Sequence, residues 1–280
     1  MPVIKAVLFF IAIAFLNKKL FSSFLSFTCA KAIQSWSTHL MDQPSWISTH
    51  IQRWEQKPQL RYFYKQEIFR RILAVSDPTA VLVEIGSGPG FLKSAIPNLI
   101  CTDIEAGPTV DCLVDAAQLP FKNNSVDAFI GVDVLHHFDQ PGRFFEMASH
   151  SLKPGGRIIF AEPWAGSFGY LFYRFVHHED CERVQTPFGP AFTGDKSPMD
   201  GNAMIARQCL VESETQLRSY GFKTTHRSFF GCFAYLLTGG FQAWTAPHQL
   251  IKLFTKIERF LPQALLRIIG VRMMIVLEKI

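Results

Sequence analysis

The sequence predicts an α/β protein built on a mostly parallel sheet covered by helices on both faces. Short apolar runs recur at 81–85 (V-L-V-E-I), 99–103 (L-I-C-T-D), 111–115 (D-C-L-V-D), 127–132 (D-A-F-I-G-V) and 157–161 (R-I-I-F-A), alternating with helical stretches such as Pro141 to Leu152. The runs are continuously apolar, as strands buried on both faces must be. Composition agrees: 280 residues, 48% hydrophobic and 18% charged, can fold one large domain or two small ones.

The chain opens on an unusual segment. Residues 1–40 carry Lys5, Lys18, Lys19 and Lys31 and no acid, and Ala6 to Leu16 is an unbroken apolar run. Eleven residues are too few for a membrane span of ordinary length, and the F-S-S-F-L-S-F-T-C-A that follows is a weak cleavage site. Three readings stand: a membrane-surface anchor, a hydrophobic docking helix, or an upstream start with Met41 as the true one. Residues 41–79 are expected to be helical, and 80–280 to form the main domain.

Charge and cysteine usage narrow the function. The net charge of +5 lies mostly in that N-terminus, leaving 24 basic against 23 acidic residues in 41–280. A near-neutral body argues against a nucleic-acid reader, which needs a basic face for phosphates. The six cysteines (Cys29, Cys101, Cys112, Cys181, Cys209, Cys232) form no C-x-x-C pair, so they read as reduced thiols in a cytoplasmic protein, membrane-associated if residues 1–40 anchor it.

The first strand runs into G-S-G-P-G, Gly86 to Gly90, with Glu84 planted inside the apolar run. In a parallel sheet such a loop lies at the carboxyl ends of the strands, where ligands bind. A phosphate-binding P-loop fails, because Leu92 precedes Lys93 and Ser94 where a glycine is required. A dinucleotide fingerprint fits poorly, since Phe91 holds the third glycine position and Gly90 comes one residue early. What remains is a backbone brought close to a ligand without pyrophosphate, or a tight turn with no ligand. Asp103, ending the second strand, is placed to accept both hydroxyls of a ribose; a helix-capping or surface acid is the plainer reading. Asp115 and Ala116 end the third strand, where an acid can meet an adenine amino group.

With the V-D-V-L-H-H-F that follows the fourth strand and L-K-P-G-G-R-I-I-F-A-E-P at Leu152 to Pro163, the order and spacing resemble the class I S-adenosylmethionine-dependent methyltransferases. The likeness is to the small-molecule group often called type 11, and it is close over Val81 to Pro163. It implies a Rossmann-like seven-stranded methyltransferase sheet, mostly parallel, with an antiparallel C-terminal strand; this chain adds insertions at 163–205 and 231–271, expected to form a helical cap. Gly86, Ser87, Gly88 and Gly90 would wrap the methionine part of S-adenosyl-L-methionine, with Glu84 beneath it. Asp103 would bind the ribose, Ile104 would pack on the adenine, Asp115 and Ala116 would meet its edge, and Val132 would touch the cofactor. One departure is plain: only twelve residues separate Gly90 from Asp103, so the first helix is short and Glu105 rivals Asp103.

In the tail, Val211 to Phe222 reads as a helix ending at Gly221, F-K-T-T-H-R-S-F-F as a sixth strand and V-R-M-M-I-V-L-E-K as a seventh. Both cap insertions are aromatic and greasy. In Leu250 to Leu261, Leu250, Phe254, Ile257 and Leu261 share one helical face, while Lys252, Lys256 and Arg259 lie elsewhere. Such a helix packs on the domain or lies on an anionic membrane.

Methyl transfer needs an aligned nucleophile, exclusion of water and, for a hydroxyl, a base. The candidate bases are His136 and His137 after the fourth strand and His177 and His178 in the cap sequence H-H-E-D, each with a structural role as its alternative. No metal site is expected from H-H-E-D, since adjacent residues on a helix do not face one point. The N-P-P-Y-like turn of amino-methylating nucleic-acid enzymes is absent. A small or lipid-like acceptor, methylated on oxygen and not nucleic acid, is therefore expected. A macromolecular acceptor and a non-catalytic cofactor-binding homologue are the alternatives.

Overall fold

The structure, a computed structural model, describes residues 46–192, 197 and 199–280. Segment 1–40, with its anchoring readings, lies outside them. The N-terminal region is helical: α1 (Trp46–Gln56), α2 (Pro58–Phe63), a π-helical turn (Tyr64–Phe69) and α3 (Arg70–Leu73). The strands β1 (Leu82–Ile85), β2 (Ile100–Asp103), β3 (Cys112–Leu113), β4 (Val126–Val132) and β5 (Leu152–Pro163) follow, with α4 (Pro141–Ser151) between the last two. Then come α5 (Ser167–Phe175), α6 (Ala203–Arg207), α7 (Glu214–Ser219), β6 (Phe222–Phe230), α8 (Phe233–Thr238), α9 (His248–Arg259), α10 (Gln263–Ile269) and β7 (Arg272–Lys279).

The seven strands form one sheet in the order β3-β2-β1-β4-β5-β7-β6. β1 to β5 are mutually parallel, and β7 runs antiparallel between β5 and β6. Alternate residues feed two cores. Val83, Ile85, Phe129, Ile158 and Phe160 pack on one face with Phe144 and Phe145 of α4. Leu82, Ile130, Ile159 and Ala161 pack on the other with Leu60, Phe63, Ile68 and Ile72 from the N-terminal helices. This is why the runs read as continuously apolar: neither face of a strand meets water. Truncating either buried phenylalanine of α4 to alanine would cost about 3–5 kcal/mol.

Four local expectations are corrected. After the glycine loop there is only a single 3₁₀ turn, Phe91–Ser94, because Pro97 halts helical propagation and biases Ile96 away from helical dihedrals. β3 is two residues long at the sheet edge. The helix expected over 211–222 is interrupted at Ser213, with a π-helical turn (Gln208–Glu212) before it and α7 after it.

The fourth correction concerns α9, which is rotated from the face its apolar residues suggest. Ile251, Thr255 and Glu258 are its buried residues, and Ile257 is 45% exposed. The Glu258 carboxylate explains this: it turns inward to accept hydrogen bonds from the backbone N–H groups of Cys232 and Ala234 at the start of α8, at 3.1 and 2.8 Å. Among the described residues no helix is long and apolar enough to cross a membrane.

Candidate active site

Strand order reverses between β1 and β4, so the loops leaving their carboxyl ends flank a crevice. The loop after β1 needs its glycines. Gly86 and Gly90 have φ of +63° and +68°; a Cβ would lie 2.1 Å from Val134 Cγ2 at the first and 1.9 Å from Thr109 Oγ1 at the second. The loop is tied to β2 by Ser87 N–H donating to the Thr102 carbonyl (2.9 Å) and Gly88 N–H donating to Asp103 Oδ2 (2.7 Å). Asp103 is buried, and its other oxygen accepts from Glu105 N–H at 3.0 Å. The rival Glu105 is engaged elsewhere, accepting from Trp46 Nε1 at 2.6 Å.

The fit of S-adenosylmethionine to this crevice is supported by two buried hydroxyl oxygens, Ser87 Oγ and Thr109 Oγ1, which lack a partner among the described residues. Together with the backbone cradle and the Asp103 carboxylate they suit a polar ligand. Ile104 is 55% exposed just beyond β2, an apolar side chain free to cover an adenine. Asp115 accepts from Ala117 N–H at 2.8 Å and caps a 3₁₀ turn that begins at the buried Ala116. Val132 is the last residue of β4. Glu84 is buried on β1, and among the described residues the Cys101 thiol, 3.7 Å away, is its hydrogen-bond donor; burial pushes its carboxyl up to about 8.

The loop after β4 builds the other wall. Asp133 adopts φ +55° and accepts from Tyr64 Oη at 3.1 Å and from the Arg272 guanidinium. Arg272 is fully buried beside Tyr235; burial opposes its charge, but Asp133 holds it protonated. His50 of α1 stacks on Phe241 at 4.2 Å, and burial, with His178 nearby, brings its pKa down to about 4.

The four candidate bases gather on one carboxylate, Glu179. His136 Nε2 lies 3.3 Å from it, His137 Nε2 3.8 Å, His177 Nδ1 3.7 Å and His178 Nε2 3.8 Å. Burial disfavours the charge of His136, but Glu179 and Glu162 on either side outweigh that and raise its pKa to about 10, which disfavours it as a base in the metal-free fold. It orients the loop instead: its Nδ1 meets Glu162 Oε2 at 2.7 Å, while Glu162 Oε1 accepts the N–H groups of Val134 and Leu135. Burial brings His177 down to about 4, a neutral imidazole. H-H-E-D does not continue a helix: α5 ends at Phe175, and Asp180 forms a bridge with Asn202. The helical argument against convergence therefore does not apply.

The sequence reading missed Trp46, Tyr64, Asp133, Glu162 and Arg272. Three carry a signal: an acid or arginine standing in an apolar strand or at its end, in V-D-V, F-A-E-P and V-R-M-M-I. Such a charge is rarely buried without a partner.

The sheet order is that of a Rossmann-like methyltransferase fold, with the glycine loop and the Asp103 carboxylate at the carboxyl ends of its strands. Residues 83–160 match the type 11 family described as "Methyltransferase domain". The chain is 27% identical over 120 residues to an uncharacterized methyltransferase of Mycolicibacterium gilvum, covering 37% of this chain and 47% of that protein. It is 26% identical over 154 residues to the probable tRNA methyltransferase 9B of Bos taurus, covering 50% and 32%. The matches thus span half or less of each relative's length. Among solved structures, a possible histamine N-methyltransferase of Thermotoga maritima overlaps with 18% identity and a TM-score of 0.49, covering 82% of this chain and 95% of that one.

Proposed function

We propose that this protein transfers a methyl group from S-adenosylmethionine to the oxygen of a small, hydrophobic or lipid-like acceptor. The observation that carries the reading is the glycine cradle at the carboxyl end of β1 with the Asp103 carboxylate across it. When bound, the cofactor supplies an electrophilic methyl on a sulfonium. The protein's part is to hold the cofactor on Asp103 and the loop, cover the crevice with α1 and the cap, and receive a proton from a hydroxyl acceptor. The imidazoles around Glu179 offer places for that proton, which favours oxygen. An apolar acceptor is supported by the apolar side chains the cap leaves in water: Leu253, Ile257 and Phe260 at α9, and Leu265 and Ile268 on α10. Such a surface would also suit membrane contact.

The test incubates the full chain with labelled cofactor and an extract of hydrophobic hydroxylated metabolites. Label is expected in an organic-extractable product, and Asp103→Ala should abolish both transfer and calorimetric cofactor binding. The likeness to a tRNA methyltransferase favours a second reading, a macromolecular acceptor, which label in RNA would establish. Cofactor binding with transfer to nothing would mark a non-catalytic homologue.

A further inference from the structure

Three segments far apart in sequence meet at Glu179: the turn after β4 with His136 and His137, the segment after α5, and Asp200 to Asn202 before α6. We propose that His136, His137 and Glu179 bind a divalent first-row transition ion of borderline softness, such as zinc(II), through two imidazole Nε2 atoms and a carboxylate oxygen.

The hydrogen bonds behind the rings carry the argument. His136 Nδ1 faces Glu162 Oε2 at 2.7 Å, and His137 Nδ1 faces the Asp200 carbonyl oxygen at 3.1 Å. Both partners are acceptors, so both Nδ1 atoms carry hydrogen and both Nε2 atoms are turned toward Glu179, where a metal ion can take the place of a proton. A carboxylate or carbonyl behind each imidazole is the usual support of a metal-binding histidine. A divalent ion binding there would release the proton shared by His136 and Glu179 and take the carboxylate and both Nε2 atoms together.

The spacing fits. Donors about 2.0–2.2 Å from a tetrahedral ion stand roughly 3.3–3.6 Å apart, close to the 3.3 and 3.8 Å from Glu179 to His136 and His137. All three donor atoms lie within 4.8 Å of one another. The rings are packed into place: their centroids are 4.2 Å apart, and a Cβ on Gly201 would come within 2.8 Å of His137 and 2.9 Å of His136. Gly201 is there for space, since its φ is not left-handed. The trio of His177, His178 and Glu179 is the weaker one: His178 has a 61% exposed side chain, and His177 Nδ1 already accepts from Glu179 N–H at 3.4 Å. Two nitrogens and one oxygen select zinc(II) and its neighbours over magnesium or calcium, which prefer oxygen alone, and three protein ligands leave a coordination position for a further ligand.

The full chain, stripped with a chelator, is titrated with zinc(II) against a chromogenic indicator, a readout independent of methyl transfer. One equivalent should bind, about ten-fold or more weaker in Glu179→Gln, His137→Ala and Gly201→Ala, and unchanged in His178→Ala. Circular dichroism checks that each variant is folded. On the parent chain, X-ray absorption at the zinc edge should read two imidazole nitrogens with oxygen and no sulfur. Absence of binding, equal binding by the parent, Glu179→Gln and His137→Ala, or sulfur in the coordination shell would overturn the proposal. So would loss in His178→Ala with retention in His137→Ala, which places the ion on the other trio.

Discussion

Replacing Glu84 with glutamine should make the protein more stable, by an amount that grows with pH. Glu84 lies inside the sheet, paired across to Cys101 on β2 and Ile130 on β4; Lys93 favours its charge, but burial outweighs it. Burial raises its pKa from 4.5 to about 8 in the fold, while the unfolded chain ionises it near the ordinary value. Between those two values the folded state keeps a proton that the unfolded state has lost. The stability associated with that proton is fully present below the unfolded pKa and is lost as pH rises through the folded one, at about 1.4 kcal/mol per unit. Over about pH 5 to 8 the loss amounts to roughly 3 kcal/mol, or about 6–12 °C in Tm for a chain of this size. Glutamine keeps the shape and cannot ionise. Thermal unfolding of the parent and of Glu84→Gln, measured side by side from acid to mildly alkaline pH, should therefore diverge in the variant's favour. Parallel curves would refute the reasoning, because they would mean that the carboxylate finds a partner for its charge inside the fold.

Gly90→Ala should lower stability by about 1–3 kcal/mol, from left-handed strain and the contact with Thr109, and should weaken S-adenosylmethionine binding in calorimetry. Arg272→Met leaves the Asp133 carboxylate without its buried partner and should cost about 3–5 kcal/mol in denaturant unfolding. Adding Asp133→Asn should recover part of that loss, as coupled neighbours do. The full chain should sediment with anionic liposomes at low salt, less so when residues 1–40 are deleted and less again at high salt. Retention in the supernatant at low salt would return the apolar surface of α9 and α10 to a role other than membrane contact.

What the sequence made legible follows from how locally each feature is encoded. Strands buried on both faces announce themselves as apolar runs, and the glycine loop is legible because left-handed turns and close approach leave glycine as the natural choice. Asp103 could be placed because it ends such a run. The Glu179 cluster was not legible. Its groups come from the turn after β4, the segment after α5 and the residues before α6, and tertiary bonds such as Asn202 N–H to the His136 carbonyl, Ala203 N–H to the Asp180 carbonyl and Asp180 N–H to the Gly201 carbonyl bring them together. The rotation of α9 was hidden for a related reason: apolar periodicity carries no information about a carboxylate that turns inward to cap a neighbouring helix.

The N-terminal helices and the second insertion pack on one face of the sheet, and polar contacts fix how they sit. Lys57 donates to three carbonyl oxygens, of Gly240, Gln242 and Trp244, at 2.6, 3.0 and 2.9 Å, which anchors the loop after α8 to the start of α2. Arg259 of α9 pairs with Glu67 at 2.7 Å. At the other end of this layer the Trp46 ring comes within 3.1 Å of where a Gly88 Cβ would stand, while its Nε1 holds Glu105. α1 therefore touches the cofactor loop through Trp46 and the second insertion through His50 on Phe241. The Trp46 ring thus borders the glycine cradle at Gly88. That contact in turn belongs to the layer that carries the exposed apolar side chains of α9, so cofactor binding and any apolar partner of the cap act on one connected set of residues.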